Sequence, residues 1–374
     1  MPVLYMIVFL LVVLSVYAAG HLFVYKAFIN VWTLPAAAHR VLFGALILLW
    51  ISPLTIGLGS RFFPGTVTSA LAHVGYTWMG WFFLFFVAHL LLLGFNWFFG
   101  RWDWDLNDRI IWIAAAALAL VGVVWGSIDA GRLRVRREEV ALPTLQTGQR
   151  IRMVHVSDLH FGPTLGTDFS RKVIDLVREQ NPDLVVCTGD FLDPGIADPE
   201  GLARQWRELK PVLGKYAVLG NHEAYSDVKK SVRLLEDAGF VVLRNAHVQL
   251  VPGVVLAGVD DPAVAQTGEK PAVSELDLMR ALPRPSSVIL LKHQPRVESR
   301  GLFDLQLSGH THGGQLFPFD KLVSLVYKYH KGRYELPGGG AIIVSAGAGT
   351  WGPPIRLFVP PEIHVIDLVA RPTR

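Results

Sequence analysis

The chain has 374 residues, 51% of them hydrophobic and 18% charged, with a formal net charge of +4. Such a length accommodates about two domains of roughly 100–200 residues. The small net charge argues against a nucleic-acid partner, and the single Cys187 excludes an intramolecular disulfide.

Charge is distributed unevenly. Before Asp129 the only Lys and Arg residues are Lys26, Arg40, Arg61, Arg101 and Arg109, whereas from Arg132 onward the composition is that of an ordinary soluble domain. A membrane-spanning helix needs about 20 consecutive, mostly apolar residues. Residues 3–24, 41–58, 74–99 and 110–128 qualify, the second interrupted only by Pro53. Trp32, Trp50, Trp97, Trp102, Trp104, Trp112 and Trp125 fall near the ends of these runs, where aromatic belts sit. Four such runs in succession predict a four-helix membrane domain over residues 1–130 rather than the core of a soluble protein. The first run lacks a basic leading segment and precedes further apolar runs, so it reads as a retained helix and not a signal peptide.

Four spans leave both termini on one side. Arg132, Arg134, Arg136 and Arg137 follow the last span directly, and the positive-inside rule then predicts an inner-membrane protein with a cytoplasmic C-terminal domain. Lys26, Arg40, Arg101 and Arg109 fall on the opposite side and weigh against it. His39, His73 and His89 lie in or near spans. Such residues are functional candidates in a membrane, but with no partner evident in the sequence they read as packing or interfacial. The spans show neither an internal repeat nor a charge pair, which argues against a transporter. Residues 131–149 read as a basic linker that starts as an exposed strand, because Leu133-Arg134-Val135-Arg136 alternates with period two.

Residues 150–374 read as a catalytic domain. A strand over 152–156 ends in Asp158-Leu159-His160. An amphipathic helix over 168–180, with Phe169, Val173, Ile174, Leu176 and Val177 on one face, stops at Asn181-Pro182. A buried strand over 183–187 leads into Thr188-Gly189-Asp190, where the glycine allows a sharp turn and a carboxylate at the strand tip can bridge two cations. Cys187 reads as a small core residue. A helix over 201–209 and a strand over 216–219 precede Gly220-Asn221-His222-Glu223. There Asn221 can offer a neutral amide oxygen and His222 can donate a proton. After a helix over 228–238 and strands over 240–243 and 254–259 come Asp260 and Asp261, read as turn residues serving the backbone. A strand over 287–291 ends at Lys292-His293, and Leu305-Gln306-Leu307-Ser308 leads to Gly309-His310-Thr311-His312-Gly313-Gly314. Ligands gather at the C-terminal ends of strands in open sheets. The set is oxygen plus imidazole with no thiolate, which suits Mn, Fe or Zn. It is too large for one closed site and about sufficient for two divalent ions that share a carboxylate.

The order D-x-H, G-D, G-N-H-E, single H and G-H-x-H resembles the signature of the calcineurin-like metallophosphoesterase superfamily across residues 151–368. Gly347-Ala348-Gly349-Thr350, Pro353-Pro354-Ile355-Arg356 and Pro360-Pro361-Glu362-Ile363 are similar to its bacterial membrane-associated branch. The resemblance implies an α/β four-layer sandwich with mixed sheets behind the α-helical membrane domain. It implies that Asp158, His160, Asp190 and His312 hold one metal and that Asn221, His293 and His310 hold the other, with Asp190 bridging. His222 would be the general acid or a transition-state stabiliser. The expected activity is hydrolysis of a phosphodiester or pyrophosphate, of a lipid-linked or envelope substrate, by metal-activated hydroxide. The alternatives are a tethered phosphoesterase acting on soluble nucleotides and a metal-bound sensor or scaffold without catalysis. Residues 317–334 mix Phe317, Phe319, Leu322, Leu325 and Val326 with Lys321, Lys328, Lys331 and Arg333. That composition suits either a lipid interface or a helix closing the edge of a sheet.

Overall fold

A computed structural model describes residues 2–63, 65–102, 106–269, 271 and 273–371, for residues 2–10 and Trp102 the backbone alone. Trp104 and the last three residues of the expected catalytic domain lie outside the described residues. The chain divides into two compact units, Met1–Ile128 with Gly352–Ile355, and Asp129–Trp351 with Arg356–Arg374.

The first unit is built from four helices: α1 (Pro2–Val31), α2 (Ala36–Phe62), α3 (Thr66–Phe99) and α4 (Asp108–Ala130). All four are long and apolar enough to cross a membrane. They extend beyond the apolar windows read from sequence, because a helix satisfies its own backbone and continues into polar flanks. Thus α2 begins at Ala36 and runs through Pro53. Small residues set the helix contacts. A Cβ on Gly75 would sit 2.7 Å from Ile56 Cδ1 and 2.9 Å from Ser52 Oγ, so a larger residue there would force these α2 side chains to shift. His39 Nδ1 lies 3.2 Å from the Tyr25 hydroxyl, His73 Nδ1 lies 2.8 Å from the Ser69 carbonyl one turn back, and His89 stacks on Phe85.

In the second unit the elements run in order β1 (Arg134–Leu142), β2 (Arg150–Val156), α5 (Thr167–Glu179), β3 (Leu184–Cys187), α6 (Pro199–Arg207), β4 (Lys215–Ala217), α7 (Asn221–Ser226), α8 (Val228–Asp237) and β5 (Val241–Val242). They continue with β6 (Ala246–Val251), β7 (Val254–Val259), α9 (Pro262–Gln266), α10 (Glu275–Ala281), β8 (Ser287–Lys292), β9 (Leu305–Ser308), α11 (Phe319–Val326), β10 (Gly332–Glu335), β11 (Ala341–Val344) and β12 (Glu362–Ala370).

Two mixed six-stranded sheets result, ordered β1-β12-β2-β3-β4-β5 and β10-β11-β9-β8-β7-β6. In the first, β2 to β5 are parallel; in the second, β7, β8, β9 and β11 are. Among them β3, β7, β11 and the centre of β8 are continuous apolar runs, as burial on both faces requires. Between the sheets lies a core that includes Met153, Leu184, Val186, Leu256, Ile289, Leu307, Ile343 and Ile366. A second core joins the outer face of the first sheet to α5, α6 and α8 through Val173, Val177, Leu202, Trp206 and Leu235. A third joins the second sheet to α10 through Leu278, Met279, Val288 and Ile342. The layers are therefore helix, sheet, sheet, helix.

The basic segment after the last span is more than a link. Its residues 134–142 form β1, in parallel register with β12 from Arg134↔Glu362 to Leu142↔Ala370. The strand read over 216–219 ends early at Ala217, so that Val218 and Leu219 carry the chain toward Gly220 and Asn221.

Candidate metal centre

Every donor singled out from sequence follows the C-terminal end of a parallel strand. Asp158 and His160 follow β2, Asp190 follows β3, Asn221 and His222 follow β4, His293 follows β8, and His310 and His312 follow β9. Five of these residues, Asp158, His160, Asp190, His310 and His312, hold φ between 48° and 72°. The left-handed region costs a non-glycine residue about 1–3 kcal/mol, and such strain collects at functional sites. Gly189, at φ 91°, also admits the Gly220 backbone where any side chain would collide.

The donors form two groups. In one, Asp158, His160 and His312 converge: the His160 and His312 Nε2 atoms are 2.9 Å apart, and His312 Nε2 lies 3.6 Å from Asp158 Oδ1. In the other, Asp190, His293 and His310 converge, with His293 Nε2 3.2 Å from both Asp190 Oδ2 and His310 Nδ1. Asn221 Oδ1 joins this group at 2.9 Å from His310 Nδ1 and 3.1 Å from His293 Nε2. Asp190 Oδ1 accepts the His222 N–H at 2.9 Å, which fixes the carboxylate; its Oδ2 lies 3.8 Å from His160 Nε2 as well as near His293. Asp190 thus stands between the two groups.

This donor set fits divalent metal ions. Two imidazole nitrogens facing each other at 2.9 Å share at most one proton, whereas a cation between them satisfies both lone pairs. Burial, then the nearby His160 and Arg356 charges, holds His312 well below the usual histidine range. Burial, then the His293 charge, lowers His310 to about 3, so both rings are neutral, as ligation requires. Burial likewise raises Asp158; burial is also the largest single influence on Asp190, but the charges of His293, His222 and His160 and the His293 hydrogen bond together outweigh it and hold the carboxyl well down. Nitrogen and oxygen donors without thiolate suit Mn, Fe or Zn.

Several residues that complete the site were not singled out as site residues from sequence. Asp193 Oδ1 accepts from both His160 Nδ1 (2.9 Å) and His222 Nδ1 (2.6 Å). Burial opposes its ionisation, but the charges of His160 and His222 and their hydrogen bonds outweigh it and hold the carboxyl low. Burial would also lower His222; Asp190, then Asp193, outweighs it and raises the ring to about 9. Glu223 is fully buried and accepts the backbone N–H groups of Asp190, Phe191, Leu192 and Gly220 at 2.8–3.1 Å, tying the two donor loops together. Ser157 donates to Asp158 Oδ2 at 2.5 Å, and the Tyr327 hydroxyl lies 2.7 Å from His310 Nε2. Buried Arg356 donates to the Ala346 carbonyl at 2.7 Å and approaches His312 Nδ1 at 3.2 Å. For Asp193 the only local hint in sequence was its spacing of three from Asp190, which is common by chance, whereas Glu223 and Arg356 stand inside the G-N-H-E and Pro353-Pro354-Ile355-Arg356 motifs.

Asp260 and Asp261 do not join the donor groups. Asp260 pairs with Arg244 at 2.9 Å, and Asp261 caps α9 at the Ala263 N–H. Cys187 is buried in the core against α5 and α6.

A four-layer α/β domain with strained, strand-end His and carboxylate groups defines a metal-dependent hydrolase. The profile of the calcineurin-like phosphoesterase family matches residues 151–314. A metallophosphoesterase from Aquifex aeolicus is 39% identical over 254 residues, covering 67% of this chain and 97% of its own. A transmembrane protein with metallophosphoesterase domain from Danio rerio is 33% identical, covering 68% of this chain and 61% of its own. A solved dimetal phosphatase from Danio rerio aligns at 13% identity and a TM-score of 0.35 over 53% of this chain and 88% of its own. The chain belongs to the calcineurin-like metallophosphoesterase family and is a metal-dependent hydrolase of phosphoric esters.

Proposed function

We propose that the chain is a membrane-anchored phosphoesterase that uses two divalent ions to cleave a phosphodiester or pyrophosphate bond in a lipid-linked or envelope substrate. The observation that carries this reading is Asp190, whose Oδ2 lies between two buried donor groups. Asp158, His160, Asp190 and His312 hold one ion; Asn221, His293 and His310 hold the other together with Asp190. Mn, Fe and Zn are the candidates. When bound, the pair supplies Lewis acidity, drawing a nucleophile from water near neutral pH and offsetting charge on the phosphoryl oxygens.

His222 is the general acid in this scheme. Its Nδ1–H is held by Asp193, which leaves Nε2 to pass a proton to the departing oxygen. The Asp193 carboxylate beside it favours the protonated ring. Asp193 is a positioning residue, and Glu223 holds the loops that carry Asp190 and Asn221 against each other.

Residues 1–130 serve as the membrane domain, 131–149 as a basic connection that includes β1, and 150–374 as the catalytic domain. The chain is a multi-pass protein of the inner membrane with its catalytic domain in the cytoplasm, a side supported by Arg132, Arg134, Arg136 and Arg137 beside the last span. A substrate taken from the bilayer is supported by the four apolar helices.

Hydrolysis of an aryl phosphodiester by detergent-purified protein, metal-stripped and reloaded with Mn, tests the reading. The expected result is Mn-dependent turnover that Asp190→Ala and His222→Ala both abolish or severely reduce. No turnover with Mn, Fe or Zn, despite two ions bound per chain, would favour a metal-bound sensor instead.

A further inference from the structure

The helix that follows the last donor loop is turned inside out. Most helices of the catalytic unit bury an apolar face; α5, for example, buries Val173, Ile174 and Val177. In α11 the buried residue is Asp320, whereas Phe319, Leu322, Leu325 and Val326 are exposed, Leu325 by 82%. At spacings of three, six and seven residues these four share one side of the helix. The patch extends past the helix: Phe317 is exposed and meets Phe358, itself 69% exposed, edge to face at 5.9 Å. Lys321 within the helix and Lys328 and Lys331 shortly after it are exposed, Lys321 pairing with Asp320 at 3.3 Å. A contiguous apolar patch of this kind marks an interaction surface, and a basic rim around it complements anionic headgroups.

The helix is keyed to the donor loop at both ends. Gly314, at φ 84°, brings the loop backbone against Asp320 at the start of α11, where any Cβ would collide. Tyr327, the residue after α11, reaches His310 Nε2 at 2.7 Å. A surface held this firmly to the site can present it to whatever the patch rests on.

We propose that α11 with its flanking aromatic residues is an interfacial foot, which seats the catalytic unit on an anionic lipid surface so that the phosphate ester is taken from that surface. This inference rests on the membrane-anchored reading above and adds the surface that does the docking. Lipid is favoured over a protein partner because four helices of the same chain are long and apolar enough to keep a bilayer at hand, and because exposed Lys328 and Lys331 leave the segment net basic once Lys321 is paired with the buried Asp320 at 3.3 Å.

The test uses the full chain in vesicles. Buried Cys187 leaves a thiol introduced by Leu325→Cys as the only accessible one. That thiol is labelled with an environment-sensitive fluorophore, and Phe319→Cys repeats the measurement on the same face. Val212→Cys, at a residue 84% exposed in the same unit, is the aqueous control. In vesicles of mixed phosphatidylcholine and phosphatidylglycerol, the probes at 325 and 319 are expected to brighten several-fold and to be quenched by lipids carrying an acyl-chain nitroxide. The effect should be smaller in pure phosphatidylcholine, and absent at 212. If the probes at 325 and 319 behave like the one at 212, or are shielded without lipid quenching as a protein contact would shield them, the foot is refuted. Aryl phosphodiester turnover, measured on the same samples, reports on the catalytic reading separately. Turnover without quenching overturns only the foot; quenching without turnover supports the foot and overturns the catalytic reading.

Discussion

Asp193→Asn separates two jobs that one carboxylate performs. Its Oδ1 holds His160 at 2.9 Å and His222 at 2.6 Å. Hydrogen bonds to a charged group contribute about 1.5–3 kcal/mol each, and an amide oxygen in the same place is neutral and satisfies one ring well at best. On the His160 side, loss of the partner that orients a metal-binding imidazole should weaken Mn binding by about 10–100-fold. On the His222 side, losing about 1.5–3 kcal/mol of orientation and charge stabilisation lowers kcat by roughly 10–100-fold at saturating Mn. That is within the full value of a general acid, about 10²–10⁴-fold. The ring loses the Asp193 carboxylate that favours its protonated form, so its pKa falls. The decline of kcat with rising pH should then begin at lower pH than in the wild type. Steady-state kinetics on an aryl phosphodiester across pH, with Mn titrated in each variant, measure all three effects. The decisive comparison is the double variant. If Asp193 acts on turnover through His222, then at saturating Mn Asp193→Asn with His222→Asn is no worse in kcat than His222→Asn alone. Losses that multiply, or a single Asp193→Asn variant with unaltered kcat and Mn affinity, would refute the positioning role.

Other perturbations test the scaffold around the donors. A Cβ on Gly309 would run into the Asp158 carboxylate and Ser157; Gly309→Ala should cost about 1–3 kcal/mol and lose bound Mn by elemental analysis, whereas a folded variant with full metal content would show that the loop can shift. Adding Mn to chelator-stripped protein should raise Tm, with about 2.7 kcal/mol of stabilisation at 100 times Kd, and Asp190→Ala should abolish most of that rise. Burial opposes ionisation of Glu362, but its contacts with His364, Ala346 and Arg136 outweigh it and lower the carboxyl from 4.5 to about 2. The unfolded chain therefore takes up this proton first as pH falls. The stabilisation, on the order of 3 kcal/mol, is present above about pH 4.5 and is lost toward pH 2. The Tm gap between wild type and Glu362→Gln should accordingly shrink with acidification, and a gap that widens would contradict the assignment.

The sequence alone was enough to mark the four long apolar segments and the His, Asp and Asn residues at the strand ends, because both are local properties. A membrane-crossing helix is legible in the polarity of about 20 neighbouring residues. A strand buried on both faces is a short apolar run, and β3, β7 and β8 read that way. The donors at the strand tips were legible because their chemistry clusters with glycine within a few positions. The tertiary structure decided what depends on register between distant segments. Residues 134–142 alternate like an exposed link, and only pairing with β12, more than 200 residues later, makes them a strand of the sheet. Asp193 became a shared acceptor because β3 and β4 are parallel neighbours, which bring its loop against His222. The composition of α11 left two orientations open, and burial of Asp320 with exposure of Leu325 selected the one that faces outward. Composition and period describe a residue's neighbours along the chain; which side of an element meets the core is set by the elements packed against it.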